Sequence, residues 1–409
     1  MPLPPRADGA RVLADLNALR AIGGYRTGVH KPTFSAPHVQ SLHWLAARLP
    51  DAQLAAAIDG IGNVLGTSAK AGPKLLAGSH LESQNHAGWL DGPLGVIYAL
   101  EAARVLNPDP GVSGAVEVAA WCDEEGHFGS FLGSRSFVGA LSEAEIDAAR
   151  DRNDGRSMRE ALESVGLGGK SRIVAERGRH IGYFEAHIEQ GDTLESEALK
   201  IGIVTSIVGI WQYRITFTGA QNHAGTTRMA IRKDAGLALA KFAVAIDERF
   251  PKLCGPRTVW TTGRITLDPG APSIIPGAAE MLFQIRDVDP AVINQLEAEL
   301  HAMADAVTAQ GGCAVTVECI RTGAPALMEG GFQDAIEAAS RSFAGGKSLR
   351  MPSGAGHDAQ VLATIMPAAM LFVPSIGGIS HHWTENTADA DIVTGAEVFV
   401  ETCRRLLSA

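Results

Sequence analysis

The chain has 409 residues, a formal net charge of -10 and five cysteines. That length asks for two or three domains with ample core. The acidic balance and the lack of any long Lys/Arg run argue against nucleic acid or an acidic membrane surface, which leaves a small molecule as the partner.

No stretch reaches the roughly 18 uninterrupted apolar residues of a membrane helix. Cys122, Cys254, Cys313, Cys319 and Cys403 form no C-x-x-C pair, which suits the cytoplasm and argues against a Cys-rich zinc site. In chain order, "ADLNALRAIGG" and "APHVQSLHWLAARL" carry helical periodicity. The β-like runs "KLLAGSH" and "AVEVAAW" then alternate with helix-like runs such as "GPLGVIYALEAARVL". That alternation predicts an α/β domain with a mostly parallel sheet and chemistry at its strand ends. From about Val208 the pattern changes. "GIWQYRITFTGA" and "AAEMLFQIRDVD" alternate apolar and polar residues, while "AGLALAKFAVAIDERF" and "AVINQLEAELHAMADAV" read as amphipathic helices. An inserted α+β domain over 209–323 is expected, with 1–208 and 324–409 forming one discontinuous catalytic domain.

The loops after the apolar strands collect the reactive side chains. They offer His80 and Asp91, then Glu124 and Glu125 in "WCDEEGH", then His187, then His381 and His382. Imidazole with carboxylate oxygen is the donor chemistry of Zn, Mn, Co or Ni, and one carboxylate can bridge two ions about 3.5–4 Å apart. The pattern has the composition of a two-metal hydrolase, with a Glu beside a ligand Glu as general base. On that reading the charge of Asp123, Glu124 and Glu125 is held by cations. Ser353, His357 and Asp358 stand too close in sequence to converge as a hydrolytic triad. The glycines around them, Gly356 included, let the backbone approach a substrate.

The segments "GSHLESQNHAGWLDGPLGV", "DEEGHFGSFLGSR", "EAHIEQG", "GAQNHAGTTRM", "PSGAGHDA" and "GGISHHWTE" resemble those of binuclear-metal amidohydrolases: N-carbamoyl-L-amino-acid hydrolases, allantoate amidohydrolases and ureidopropionases, within the aminoacylase and carboxypeptidase G superfamily. The resemblance implies two divalent ions, with His80 and His187 on one, Glu125 and His381 on the other, and Asp91 between them. It implies Glu124 as base, Gln190 facing the substrate, and Arg286 gripping the substrate carboxylate. It implies that His223, on a lid that also makes a homodimer, reaches the partner subunit's site. The chain departs from the family pattern at several points. Glu82 stands where an aspartate usually orients the first histidine, so it is expected to steer His80. Ser273 replaces a substrate-binding asparagine, Arg228 a proline, and His382 and Trp383 a small residue and a proline. The activity implied is hydrolysis of a carbamoyl or ureido C–N bond in a small carboxylate-bearing substrate, foremost an N-carbamoyl-L-amino acid. Allantoate, ureidoglycolate or N-acyl amino acids are the alternatives. A non-catalytic binding protein would have no use for Glu124.

Overall fold

The structure, a computed structural model, describes residues 6–408. The chain divides into two compact units, residues up to 205 together with those from 327 onward, and 206–326.

The first unit is built on a nine-stranded sheet. Its middle is parallel: Lys74–His80 lies between Ala115–Trp121 and His180–Ile188, and Ala368–Val373 follows on the far side. These runs are buried on both faces, which is why they read as unbroken apolar stretches. The flanks differ from the mostly parallel expectation. Val64–Thr67 and Ala55–Ile58 continue one side antiparallel, and Ile201–Ile207 is antiparallel on the other. The first two join as a hairpin over a short turn and need no crossover helix.

The helix Pro93–Leu106 is apolar nearly all round and is buried with Leu94, Ile97, Tyr98 and Leu100 in the main core. Register matters most for function. His80 pairs with Trp121, and Phe372 pairs with His187, so the carboxyl ends of the parallel strands bring their following loops to one edge.

The second unit is a four-stranded antiparallel sheet in the order Val259–Asp268, Ala278–Asp287, Gly209–Thr218, Ala314–Gly323. Period-2 alternation buries Tyr213, Ile215 and Phe217 with Met281, Phe283 and Ile285. The helices Ala235–Arg249 and Pro290–Ala309 share that core, and their N-termini are capped by the carboxylates of Asp234 and Asp289.

Candidate metal centre

Five side chains converge where the parallel strands end. His80, Asp91 and His187 form one group of donors, and Asp91, Glu125 and His381 a second, with the donor atoms of each group within 4.8 Å of one another. Asp91 belongs to both. Its Oδ1 lies 3.0 Å from His187 Nε2 and 3.5 Å from His80 Nε2, and its Oδ2 lies 3.4 Å from His381 Nε2. His80 closes its strand and His187 stands one residue before the end of its own, whereas Asp91, Glu125 and His381 stand on loops.

The imidazole geometry tests whether cations fit. His80 Nδ1 faces the carbonyl of Glu82 at 3.1 Å, and His187 Nδ1 faces the carbonyl of Ile188 at 3.0 Å. A carbonyl only accepts, so each Nδ1 carries the proton and each Nε2 turns a lone pair toward Asp91. His80 Nε2 is buried without a hydrogen-bond partner among the described residues. Two acceptors at such distances need a proton or a metal ion between them. The donor set therefore fits divalent cations of the borderline class.

The ion-free electrostatics make the same point. Burial alone would raise Asp91, but the imidazoles around it, His187 foremost, hold it well below the usual carboxylate range. Burial would lower His80, yet Asp91, Glu124 and Glu82 raise it well above the ordinary imidazole value. His381 is carried up to about 9, burial being outweighed by Asp91, Glu125 and Glu385. Burial pushes the Glu124 carboxyl well above its ordinary value, and Glu125, Asp358 and Asp91 add to the push against the pull of His80. The carboxylates and imidazoles of the centre thus favour positive charge placed between them.

The surrounding shell explains why the chain folds this way locally. Asp123, expected to share in holding cations, does not. Its buried carboxylate accepts the N–H groups of His127, Phe128 and Gly129 and the Thr33 hydroxyl, so its charge anchors the turn that aims the next two residues. Glu82 also differs from expectation. Its backbone carbonyl, not its carboxylate, meets His80 Nδ1. The extra methylene carries the carboxylate on to the Glu124 N–H at 2.6 Å, with Oε1 3.9 Å from His80. Glu124 Oε2 lies 3.8 Å from His80 Nε2, and Gln190 Nε2 donates to Asp91 Oδ2 at 3.0 Å. Gly356 lies in the loop before His357, whose ring is 4.6 Å from that of His187. Ser353 Oγ does meet His357 Nε2 at 3.0 Å, but Asp358 bonds Ser134 instead, so no triad forms.

Three residues of this shell escaped the sequence reading. Gln84 donates its backbone N–H and its amide to the two Glu125 oxygens. Buried Glu385 accepts the N–H groups of Leu90 and Asp91 and the Ser380 hydroxyl. Gly92 must lack a Cβ, which would fall 2.4 Å from His80 Nδ1, and its φ of +84 suits glycine. The signal for Glu385 was present in "HHWTE", four residues after a ligand candidate.

In the second unit, His223 is exposed on a short ladder opposite Ile274, and its Nδ1 accepts the N–H groups of Gly225 and Thr226. The Ser273 carbonyl accepts the Ala224 N–H beside it. Arg286 stands near the end of its strand, opposite Ile210 and Val259.

Residues 73–405 match the model of peptidase family M20/M25/M40. The chain belongs to that family. As an M20 member it is 33% identical to an N-carbamoyl-L-amino-acid amidohydrolase of Paenarthrobacter aurescens, over 98% of each chain. It is also 33% identical to an allantoate amidohydrolase of Bacillus subtilis (strain 168), over 85% of each. A crystal structure of an amidase of the hydantoinase/carbamoylase family from Burkholderia phymatum superposes with a TM-score of 0.88 at 44% identity, covering 99% of both chains. This M20 chain is a hydrolase of amide bonds, and its donor groups can hold metal. Among the described residues no helix is long and apolar enough to cross a membrane.

Proposed function

We propose that the chain is an N-carbamoyl-L-amino-acid amidohydrolase using two divalent cations, one held by His80, Asp91 and His187 and the other by Asp91, Glu125 and His381. The observation that carries this reading is the Asp91 carboxylate, with one oxygen toward each donor group. When bound, such a pair of cations polarises the scissile carbonyl and lowers the pKa of a neighbouring water.

The chain's own residues do the rest. Glu124, with its backbone held by Glu82 and its carboxylate beside His80, takes a proton from the attacking water and passes it to the leaving nitrogen. The water oxygen bonds to the carbamoyl carbon as the C–N bond breaks. The amino acid leaves as the amine, and the carbamic acid left behind falls apart into carbon dioxide and ammonia. Gln190 steadies Asp91 from the substrate side, and Gly356 leaves room for the substrate backbone. His223 is the donor for the developing oxyanion, Arg286 the two-pronged clamp for the substrate carboxylate, and Ser273 a smaller polar contact.

A homodimer is part of this reading. Arg286 and Ala278 are eight residues apart on one strand, about 26 Å at about 3.3 Å per residue, and the His223 ladder adjoins the Ala278 end through the Gly219–Gly277 hydrogen bond. The two residues stand toward opposite ends of the second unit's sheet, which is compatible with the arrangement the resemblance implies, in which His223 serves the partner subunit's site. The edge strand Val259–Asp268 supports the assembly, because Val259, Ile265 and Leu267 are exposed there and unprotected edges pair. Mixing inactive Glu124→Gln with inactive His223→Ala subunits should restore about a quarter of wild-type activity, since half the dimers would hold one complete site. Proven subunit exchange with no activity returning would mean that His223 acts within its own chain or not at all. Five free cysteines fit a reducing compartment such as the cytoplasm.

The deciding experiment measures amine and ammonia release from N-carbamoyl amino acids, allantoate, ureidoglycolate and N-acyl amino acids after reconstitution with Zn, Mn, Co or Ni. N-carbamoyl-L-amino acids should show the highest kcat/KM. Preference for allantoate would move the assignment to the activity named for the Bacillus relative.

A further inference from the structure

We propose that the N-terminal hairpin, Gly24–Tyr25 paired with Gly28–Val29, is a clip that positions His381 and thereby sets the affinity of the cation held by Asp91, Glu125 and His381. The inference rests on the two-cation reading above.

His381 is the least secured of the five donors. Its side chain is 51% exposed while the other four are buried, and it sits in left-handed backbone (φ +56) on a loop outside any helix or strand. From below, the loop is tied by Ser380 to Glu385 and by the Glu385 N–H to the His382 carbonyl. Ser380 also donates to Asp91 Oδ2 and accepts from Gln190 Nε2, and beyond His381 the loop is held by the hairpin. Thr27 Oγ1 donates to the Trp383 carbonyl at 2.5 Å, the Arg26 guanidinium lies 4.4 Å from the centre of the Trp383 ring, and Tyr25 meets that ring edge-on at 5.9 Å. Gly28 packs so closely that a Cβ there would fall 2.8 Å from Trp383 Cα and 2.1 Å from the Ala87 carbonyl.

The hairpin is fixed on its opposite side to the loop that ends in Asp91. Val29 bridges Ala87, Tyr25 stacks on His86 at 4.2 Å, and His86 stacks in turn on His30 at 4.5 Å. One small element therefore clasps both the loop leading to Asp91 and the loop carrying His381. His80 and His187, at the ends of buried strands, make no call on it. Arg26, Thr27 and Trp383 are positioning residues. Outer contacts that orient a metal ligand typically change metal affinity about 10–100-fold.

The test titrates metal-free full-length protein with Co2+, following the visible absorption of the bound ion and the stoichiometry by equilibrium dialysis. Wild type should take up two ions. Arg26→Ala and Trp383→Ala should weaken one binding event about 10–100-fold and leave the other unchanged. Thr27→Val should do the same to a smaller degree, and Trp383→Phe, which keeps a ring under Arg26, should recover most of the loss. Arg26 is exposed, so its variant tests the idea even if Trp383→Ala fails to fold. Equal weakening of both events, or no change in a folded Arg26→Ala protein, overturns the clip while the two-cation reading stands. Fewer than two ions bound by wild type overturns the two-cation reading and the clip with it.

Discussion

The same parallel strands bury charge at both of their ends, and the two ends treat it differently. At the amino ends, Glu117 is almost fully enclosed, and its carboxylate receives two bonds from Arg179, one from His180 at 2.9 Å and the Ser68 N–H. Burial alone would raise it, but His180 and Arg179 outweigh burial and bring it to about 2. At the carboxyl ends, the partners of Asp91, Glu124 and Glu125 are imidazoles, backbone N–H groups and amides. Those imidazoles become positive only by taking up a proton. A chain that compensates one buried carboxylate with a guanidinium and leaves a cluster of others for something else to neutralise has separated a structural end from a reactive one.

Removing divalent ions is the strongest way to probe that contrast. Chelation should abolish hydrolysis. It should also lower unfolding stability by about 2.7 kcal/mol when the ion had been present at 100 times its dissociation constant. Activity that survives dialysis against a chelator, with ion content verified, would break the comparison at its reactive end. Glu124→Gln should reduce kcat by about 10²–10⁴-fold with ion content unchanged. Because burial already disfavours the charged form of Glu124, the neutral amide should leave the melting temperature of the ion-free protein equal or higher. A fall in both activity and stability would mean that Glu124 is structural.

Glu117→Gln should do the reverse, keeping kcat while costing roughly 2–4 kcal/mol in denaturant unfolding. That is somewhat under the about 3–5 kcal/mol of a fully buried pair, since Arg179 is partly exposed. The pH dependence has a definite sign. The folded value lies below the ordinary 4.5, so the Glu117 contribution is complete above about pH 4.5 and is lost as pH falls toward 2. The stability difference between wild type and Glu117→Gln should shrink across that window. A difference that stays constant would refute the proposed network.

Much of this was legible in the sequence because it follows from period and punctuation. "KLLAGSH" and "AVEVAAW" coincide with the strands Lys74–His80 and Ala115–Trp121, since a run buried on both faces has to be continuously apolar. That the loops bearing His80, Asp91, Glu124, Glu125, His187, His381 and His382 would meet could be anticipated because they follow apolar runs, and parallel strands place their following loops together, while the choice of five donors among them came from the family resemblance. What stayed hidden was the partnering. Asp123 and Glu124 are adjacent and chemically alike, yet one anchors a turn through backbone N–H groups while the other stands at the centre. The backbone at Asp123 is left-handed, with φ +60, and no residue type announces it. Gln84 and Glu385 were missed for a similar reason. Their role is to hold other side chains across long sequence separations, and that leaves no periodic trace.

The glycines at 88 and 92 bear on how the enzyme could be redesigned. A Cβ at Gly92 would enter the His80 ring, and one at Gly88 would fall 1.9 Å from the Glu385 carboxyl group. The stretch between them looks on the sequence like an ordinary polar loop, open to randomisation. A library aimed at new substrates that diversified 88–92 would spend its members on broken centres. Variation at Ser273, exposed and distant in sequence from every donor, would leave the centre intact in each clone.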